Sequence, residues 1–349
     1  MHSFKPQFLS KIQIPPHISW LIGTCMESRG KEKYWFNLKP EMLKTLTELA
    51  IIQSTESSNR IEGILTDSSR LKPLLSGDVK PNNRPEEEIL GYKKALKWIH
   101  ESFDQIKINS SCILKLHEIC QQGELCSDAG KFKEKDNEII EIFENGERYV
   151  RFTPIAASLT SKYIEQLCLA YQDLMDKKVL PELLVISSFV FDFLCIHPFR
   201  DGNGRVSRLM KLLLLYQNGY RVGKYISIER IIEETKINYY ATLKESSKNW
   251  HDAKHDIWVW HKYFLETLKE AYREFNDSLE KITHIHKNKS ELIRQAILNE
   301  PGEFSLARIS NKVPSVSAAM IKKVLIIMKE EGLLELKGLG RGAKWRVKH

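Results

Sequence analysis

The sequence predicts a mainly α protein: a large helical body interrupted by one β-hairpin, then a small C-terminal unit of three helices and a second hairpin. Three observations predict it. Long segments such as "PEEEILGYKKALKWIHESF", "ASLTSKYIEQLCLAYQDLM" and "DIWVWHKYFLETLKEAYREFNDSLEKI" interleave polar and apolar residues at helical spacing, while "PELLVISSFVFDFLCI" is apolar nearly all round, as a fully buried helix is. No series of alternating strands occurs, but in "NEIIEIFENGERYVRFTP" two β-prone runs flank Glu144, Asn145 and Gly146, and Asn-Gly between such runs is a strong hairpin signal. After "HIHKNKS" the pattern changes, and a boundary is expected near Thr283.

The pieces follow in order. Residues 1–110 read as a helical N-terminal region, 111–283 as the core with its closing helices, and 284–349 as the separate C-terminal unit. In that unit "ELIRQAILNE", "SLARISNKV" and "SVSAAMIKKVLIIMKEEGLLE" give three helical patterns, with Ser315 or Ser317 capping the third, and Gly338 to Gly342 form the tip of a basic hairpin. That order resembles a winged helix-turn-helix.

Bulk properties exclude several classes. A chain of 349 residues, 42% hydrophobic and 28% charged, is globular and long enough for two or three domains. Its six cysteines, Cys126 among them, show no CxxC pair and suggest neither a zinc knuckle nor a disulfide framework, which fits a reducing cytoplasm. The start lacks the apolar core of a signal peptide, and the greasiest run, "LMKLLLLY", is too short to cross a bilayer, so no membrane partner is expected. Of the net charge of +8, residues 285–349 carry +7, with 13 Lys and Arg against 6 Asp and Glu. A basic winged helix permits DNA binding, but "SVSAAMIKK" offers few long polar side chains for base edges, so a protein-interaction role stays open beside it.

The chemistry concentrates in "FLCIHPFRDGNGRVSRLMKLLLLY", from Phe193. Pro198 disfavours helix at the residue before it, so the apolar helix breaks at His197. Asp201, Gly202, Asn203 and Gly204 form a turn whose glycines let backbone N–H groups converge. Arg205 opens the next helix, and a glycine-rich loop feeding a helix N-terminus is a ready phosphate site. Arg205 and Arg208, three apart, can grip further phosphate oxygens. Asp201 supplies the oxygen ligand that Mg²⁺ takes when phosphate and water fill its other positions. His197 is the group able to take a proton near neutral pH. The bland alternative is ordinary turn chemistry with a helix-capping histidine. Elsewhere, His251 and His255 in "HDAKHD" have i, i+4 spacing for a shared metal but lack the Glu of H-E-x-x-H, and read as surface polar residues. Trp250, Trp258 and Trp260 read as a helix packing face, and His100, His117, His284 and His286 give no signal.

The string "HPFRDGNGRVSR" resembles the Fic-family motif H-x-F-x-D/E-G-N-G-R-x-x-R at every element, and "SSNRIEG" is similar to the S-x-x-x-E-G pattern of that family's inhibitory helix, at Ser58, Glu62 and Gly63. The resemblance runs from about Met1 to Lys281. It implies a Fic-type helical core with a hairpin flap around Ile139 to Val150, an inhibitory helix over about 42–63, and transfer of AMP from ATP, with Mg²⁺, to a Ser, Thr or Tyr hydroxyl of a target protein. The chain itself is a candidate target, and a homo-oligomer is a candidate assembly. By the same resemblance His197 is the base, Asp201 the metal ligand, and Gly202, Asn203 and Gly204 the anion nest, with the Asn203 side chain reaching the α-phosphate. Arg205 serves the β-phosphate, Arg208 the γ-phosphate, and Phe199 packs in the core. Tyr239 and Tyr240, in "NYYATL", stand either near adenine or in the core. Glu62 either ion-pairs with Arg208 in place of the γ-phosphate or simply ends a helix. The alternatives in function are AMP removal with Glu62 as base, transfer of another nucleotide, or a nucleotide-sensing DNA-binding regulator.

Overall fold

In a computed structural model, which describes residues 2–38, 40–122, 128–142, 146–300, 302–338 and 344–348, the chain is mainly helical and divides into two compact units, Met1–Phe275 and Asn276–His349. The first unit opens with α1 (Pro6–Leu9), α2 (Pro16–Leu38) and α3 (Pro40–Ile61), then α4 (Ser68–Ser76), α5 (Arg84–Ser102) and α6 (Ser110–Cys120). An antiparallel hairpin of β1 (Ile139–Ile142) and β2 (Arg148–Phe152) pairs Ile140 with Val150 and Ile142 with Arg148. Of the expected turn, Glu144 and Asn145 lie outside the described residues, and Gly146 has the left-handed φ of +83° that such a turn favours. After the hairpin come α7 (Ala157–Lys177), α8 (Glu182–Ile196), α9 (Asn203–Gln217), α10 (Ile228–Glu234), α11 (Lys236–Ser246) and α12 (Trp258–Leu298).

Side-chain chemistry explains the layering. α8 has no polar face to give to water, and every residue from Leu183 to Ile196 is buried, with α7 and α9 packed against it. Asparagines begin the two helices that carry the other walls: the Asn83 side chain accepts from the Glu86 N–H at 3.0 Å, and Asn109 from the Cys112 N–H at 2.8 Å. α3 lies against α5 and α10, α5 against α6, and α6 against α9. The end of α3, the start of α5 and the start of α9 therefore converge.

His251 is exposed, as a surface polar residue would be, but His255 is buried, and the two share no helix face. Residues 247–253 are turns, the His251 Nε2–H donates to the Thr153 carbonyl at 2.9 Å, and His255 Nε2 bonds Ser3 Oγ at 2.9 Å. Trp250 also lies in these turns rather than on a helix, donating to buried Asp192 at 2.7 Å. Among the described residues no group of three or more His, Cys, Asp or Glu could hold a metal ion, and no helix is long and apolar enough to cross a membrane. Cys25, Cys112, Cys120, Cys168 and Cys195 are buried free thiols, while Cys126 lies outside the described residues.

The second unit begins within α12, which runs unbroken through Thr283, where the sequence suggested a boundary. It continues through α13 (Leu306–Lys312) and α14 (Ala318–Glu330) to an antiparallel pair, β3 (Leu334–Lys337) and β4 (Lys344–Val347). Its own core gathers Ile293, Ile297, Phe304, Ile309, Leu325 and Trp345. Ser317, not Ser315, caps α14 by accepting from the Met320 N–H at 3.3 Å. Along β4 burial alternates, so Lys344 and Arg346 face solvent while Trp345 and Val347 face the core. The hairpin tip expected at Gly338 to Gly342 falls, from Leu339 on, outside the described residues.

Candidate active site

α8 ends at Ile196, and His197 takes a left-handed conformation, φ +51° and ψ +63°, rather than the extended one common before proline. Its own N–H still donates to the Phe193 carbonyl at 3.0 Å, so the ring is presented on the last turn of a buried helix. His197 Nδ1 lies 3.3 Å from the Leu194 carbonyl, a bond that requires the proton on Nδ1 and leaves Nε2 as an acceptor. Nε2 has no hydrogen-bond partner among the described residues. Burial pushes the His197 pKa down to about 4; the Leu194 bond and Glu62 act in the opposite direction, and the Lys133 and Arg151 charges depress it further. The ring is neutral and base-competent at physiological pH.

The loop after it is closed upon itself. The Phe199 N–H donates to Asn203 Oδ1 at 2.9 Å, and Asn203 Nδ2 donates to the Phe199 carbonyl at 2.8 Å. The Asn203 amide is thus committed within the loop and buried, which differs from the expected reach toward a phosphate. Gly202, at φ +81°, precedes the first residue of α9, so the helix opens at Asn203 and not at Arg205. A Cβ on Gly202 would meet Gln121 Nε2 at 2.6 Å. A Cβ on Gly204 would meet Glu62 Oε1 at 2.0 Å, so the glycine is what lets a carboxylate rest against the first turn of α9.

The two arginines diverge. Arg205, with a side chain 0% exposed, turns toward α5, donating to Glu88 Oε2 at 2.7 Å and reaching Asp201 Oδ2 at 3.5 Å. That differs from the expected phosphate role: the guanidinium is sealed behind the loop. Arg208 turns toward the end of α3. Its Nε donates to Ser58 Oγ at 2.8 Å, and Nη2 donates to the Ser58 carbonyl at 2.9 Å and to Glu62 Oε1 at 2.7 Å. Nη1 is buried with no hydrogen-bond partner among the described residues. Glu62 sits in the turn just past α3, and Gly63, at φ +77°, completes that turn.

Asp201 is 57% exposed. Its Oδ1 accepts from the Gly202 N–H at 2.6 Å, and its Oδ2 meets Arg84 at 3.1 Å. A part-exposed carboxylate that belongs to no larger ligand group among the described residues suits a Mg²⁺ ion that arrives with phosphate oxygens better than one held in a protein cage. Beside His197 a cavity of about 220 Å³ is lined by Glu62, Arg151, Cys195, Gly204, Tyr239 and Tyr240, among others. Tyr239 and Tyr240 meet edge to face at 5.1 Å within that wall. Across it lies the hairpin, on which Ile140, Tyr149 and Val150 are exposed.

Several residues that hold the site gave no sequence signal. His117 stacks flat on Phe199 with ring centroids 3.7 Å apart, accepts from the Gly130 N–H on Nδ1 at 3.0 Å, and donates from Nε2 to the Asp201 carbonyl at 3.1 Å. Burial holds its pKa near 4, so it serves as a neutral strut. Glu88, Lys133 and Asn137 are likewise anchors, and only their contacts, far away in sequence, reveal them.

Comparison with known proteins gives these positions a context. Residues 107–215 match the family model of the Fic/DOC family. The fold resembles that of a Fic family protein from Desulfovibrio desulfuricans, with a TM-score of 0.62, 20% identity and 97% of each chain covered. It also resembles a Fic domain containing signaling protein from Bacteroides thetaiotaomicron, with a TM-score of 0.61, 22% identity, and 72% of this chain and 94% of that one covered. Fic-1 from C. elegans aligns with a TM-score of 0.57 and 18% identity over 76% of this chain and 73% of that one. His197, the glycine loop and Arg208 all fall within the matched stretch, and the chain therefore carries a Fic/DOC-family domain.

Proposed function

We propose that the protein is a self-inhibited protein adenylyltransferase that moves AMP from ATP to a Ser, Thr or Tyr hydroxyl of a target protein. Members of the Fic/DOC family commonly transfer AMP to proteins. The observation that carries the finer reading is one juxtaposition: a neutral His197 with Nε2 open beside a glycine-lined helix N-terminus, where the Glu62 carboxylate already occupies Arg208. In the forward step His197 Nε2 takes the proton of the target hydroxyl. The oxygen forms a bond to the α-phosphorus as the bridging P–O bond to the β-phosphate breaks, and pyrophosphate leaves. The backbone N–H groups at the start of α9 face the charge that develops on the α-phosphate oxygens. Asp201 is the residue that would hold Mg²⁺, which supplies neutralisation of the phosphate charge. Arg208 would bind the γ-phosphate once Glu62 is displaced, using the donor that now lacks a partner.

The test is incubation with ATP labelled at the α-phosphate, with and without Mg²⁺, followed by mass spectrometry of the protein and of candidate targets. Glu62→Gly should raise label incorporation about ten- to a thousandfold, the range expected for removing an ion pair of a few kcal/mol from a partly dry site. His197→Ala in that background should lower it by about 10² to 10⁴ while ATP still binds. If Glu62→Gly instead slows AMP loss from a modified protein without speeding its addition, Glu62 is a base for AMP removal and the proposal fails.

A further inference from the structure

His197 stands in a conformation that non-glycine residues avoid, so something outside its own helix must hold it there. The segment 128–137, which leads into β1, bonds to the loop and supplies that hold. Lys133 bonds the carbonyls on both sides of the histidine: its Nζ donates to the Ile196 carbonyl at 3.4 Å, and its backbone N–H donates to the Pro198 carbonyl at 2.9 Å. Asn137 Oδ1 accepts from Lys133 Nζ at 2.7 Å, and Asn137 Nδ2 donates to the Phe199 carbonyl at 3.2 Å. Three carbonyls of the run 196–199, those of Ile196, Pro198 and Phe199, are thereby pinned around His197 by two residues of one segment. Lys133 is buried, an unusual place for an ammonium, which costs solvation unless its charge is used.

We infer that Lys133 is a positioning residue for His197: it fixes the strained backbone around the histidine and sets a positive charge beside its ring. This rests on the reading of His197 as a base, but its chemistry is testable without any substrate. The charged groups acting on the ring are Lys133 from this segment, Arg151 from β2 and Glu62 from the end of α3. The two cations disfavour the imidazolium and the carboxylate favours it. Burial lowers the Lys133 pKa itself to about 8, so its charge is present at neutral pH and lost just above it.

The experiment is NMR titration of the full chain labelled in its histidine rings. In the wild type the His197 signals should show a second inflection near pH 8, where Lys133 releases its proton, and Lys133→Arg should abolish that inflection. Lys133→Met should raise the His197 pKa by about half a unit to one unit, while Lys133→Arg leaves it nearly unchanged. A clamp acting only through packing would lower the melting temperature of Lys133→Met with no change in the His197 titration, and that result overturns the inference. Absence of the wild-type inflection overturns it as well, whether or not Lys133→Met folds. Because neither readout involves ATP, a chain that transfers no AMP could still show the coupling, and an active chain could lack it.

Discussion

Arg205 and Arg208 lie one turn apart on α9, yet they sit in two different kinds of place. The pocket facing α5 holds Arg205 against Glu88, with side chains 0% and 6% exposed, while His117 ties the loop to α6 and Asn203 closes the loop on Phe199. The pocket facing the end of α3 holds Arg208, 3% exposed, against Glu62, which is 29% exposed and comes from a turn rather than a helix. A buried ion pair is costly to break from one side because the surviving charge is left without water or partner. A pair with one solvated member can be exchanged for another anion at small cost. The same helix turn therefore carries one arginine as permanent structure and one as a replaceable contact.

The largest effect expected from that difference is on stability. Glu88→Ala leaves Arg205 buried without its main partner and should cost about 3–5 kcal/mol in denaturant unfolding, whereas Glu62→Ala removes a part-exposed carboxylate and leaves Arg208 its two bonds to Ser58, so it should cost less, about 1–3 kcal/mol. Equal losses would remove the distinction. Next in size is the coupling between Glu62 and Arg208. Arg208→Ala should weaken productive ATP binding and make the Glu62 substitution nearly silent, with an interaction energy of about 1–3 kcal/mol in a double-mutant cycle read by AMP transfer. Additive effects would mean that the contact seen between them has no functional weight.

The smallest expected change concerns acid. With His197 near 4 instead of the ordinary 6.5, kcat/KM of the free enzyme should stay within about twofold between pH 7.5 and 5.5 and decline only as pH approaches 4. A limb near 6.5 would show a ring open to water and loosen the argument for a fixed loop. Folding must be followed in the same samples. Buried neutral His117 and His197 have folded pKa values below their unfolded ones, so the unfolded chain binds more protons between about 6.5 and 4, and stability falls as pH drops through that window.

The sequence was most informative where chemistry is local. The helices, the hairpin and the loop from His197 to Arg208 could be located because proline, glycine and periodic apolar residues act on their immediate neighbours. It was least informative where a residue works through a partner distant in the chain. Glu88 meets Arg205 across 117 positions and His117 meets the Asp201 carbonyl across 84, and neither spacing leaves a local trace. Two expectations differ from the structure, one through a local contact and one through a distant one. The resemblance gave the Asn203 side chain a reach toward the α-phosphate, whereas Phe199 four residues back takes both ends of its amide. His251 and His255 both read as surface polar residues, yet His255 is buried against Ser3, 252 positions away.

Glu62 lies beyond the last turn of α3, and around Gly63 there is open space. Movement of the carboxylate away from Arg208 would leave the helix docked, because Ser54 within α3 bonds Ser227, the residue that caps α10, at 3.0 Å. Motion of a part-exposed side chain takes picoseconds to nanoseconds, whereas detaching a docked helix needs local unfolding on the microsecond scale or slower. On the function proposed above, such a gate would add no waiting time of its own to a catalytic cycle. If Arg208 takes the γ-phosphate as proposed, what the gate would control is occupancy, the fraction of visits by a nucleotide that find Arg208 unclaimed, so concentration rather than speed would decide when the site is in use.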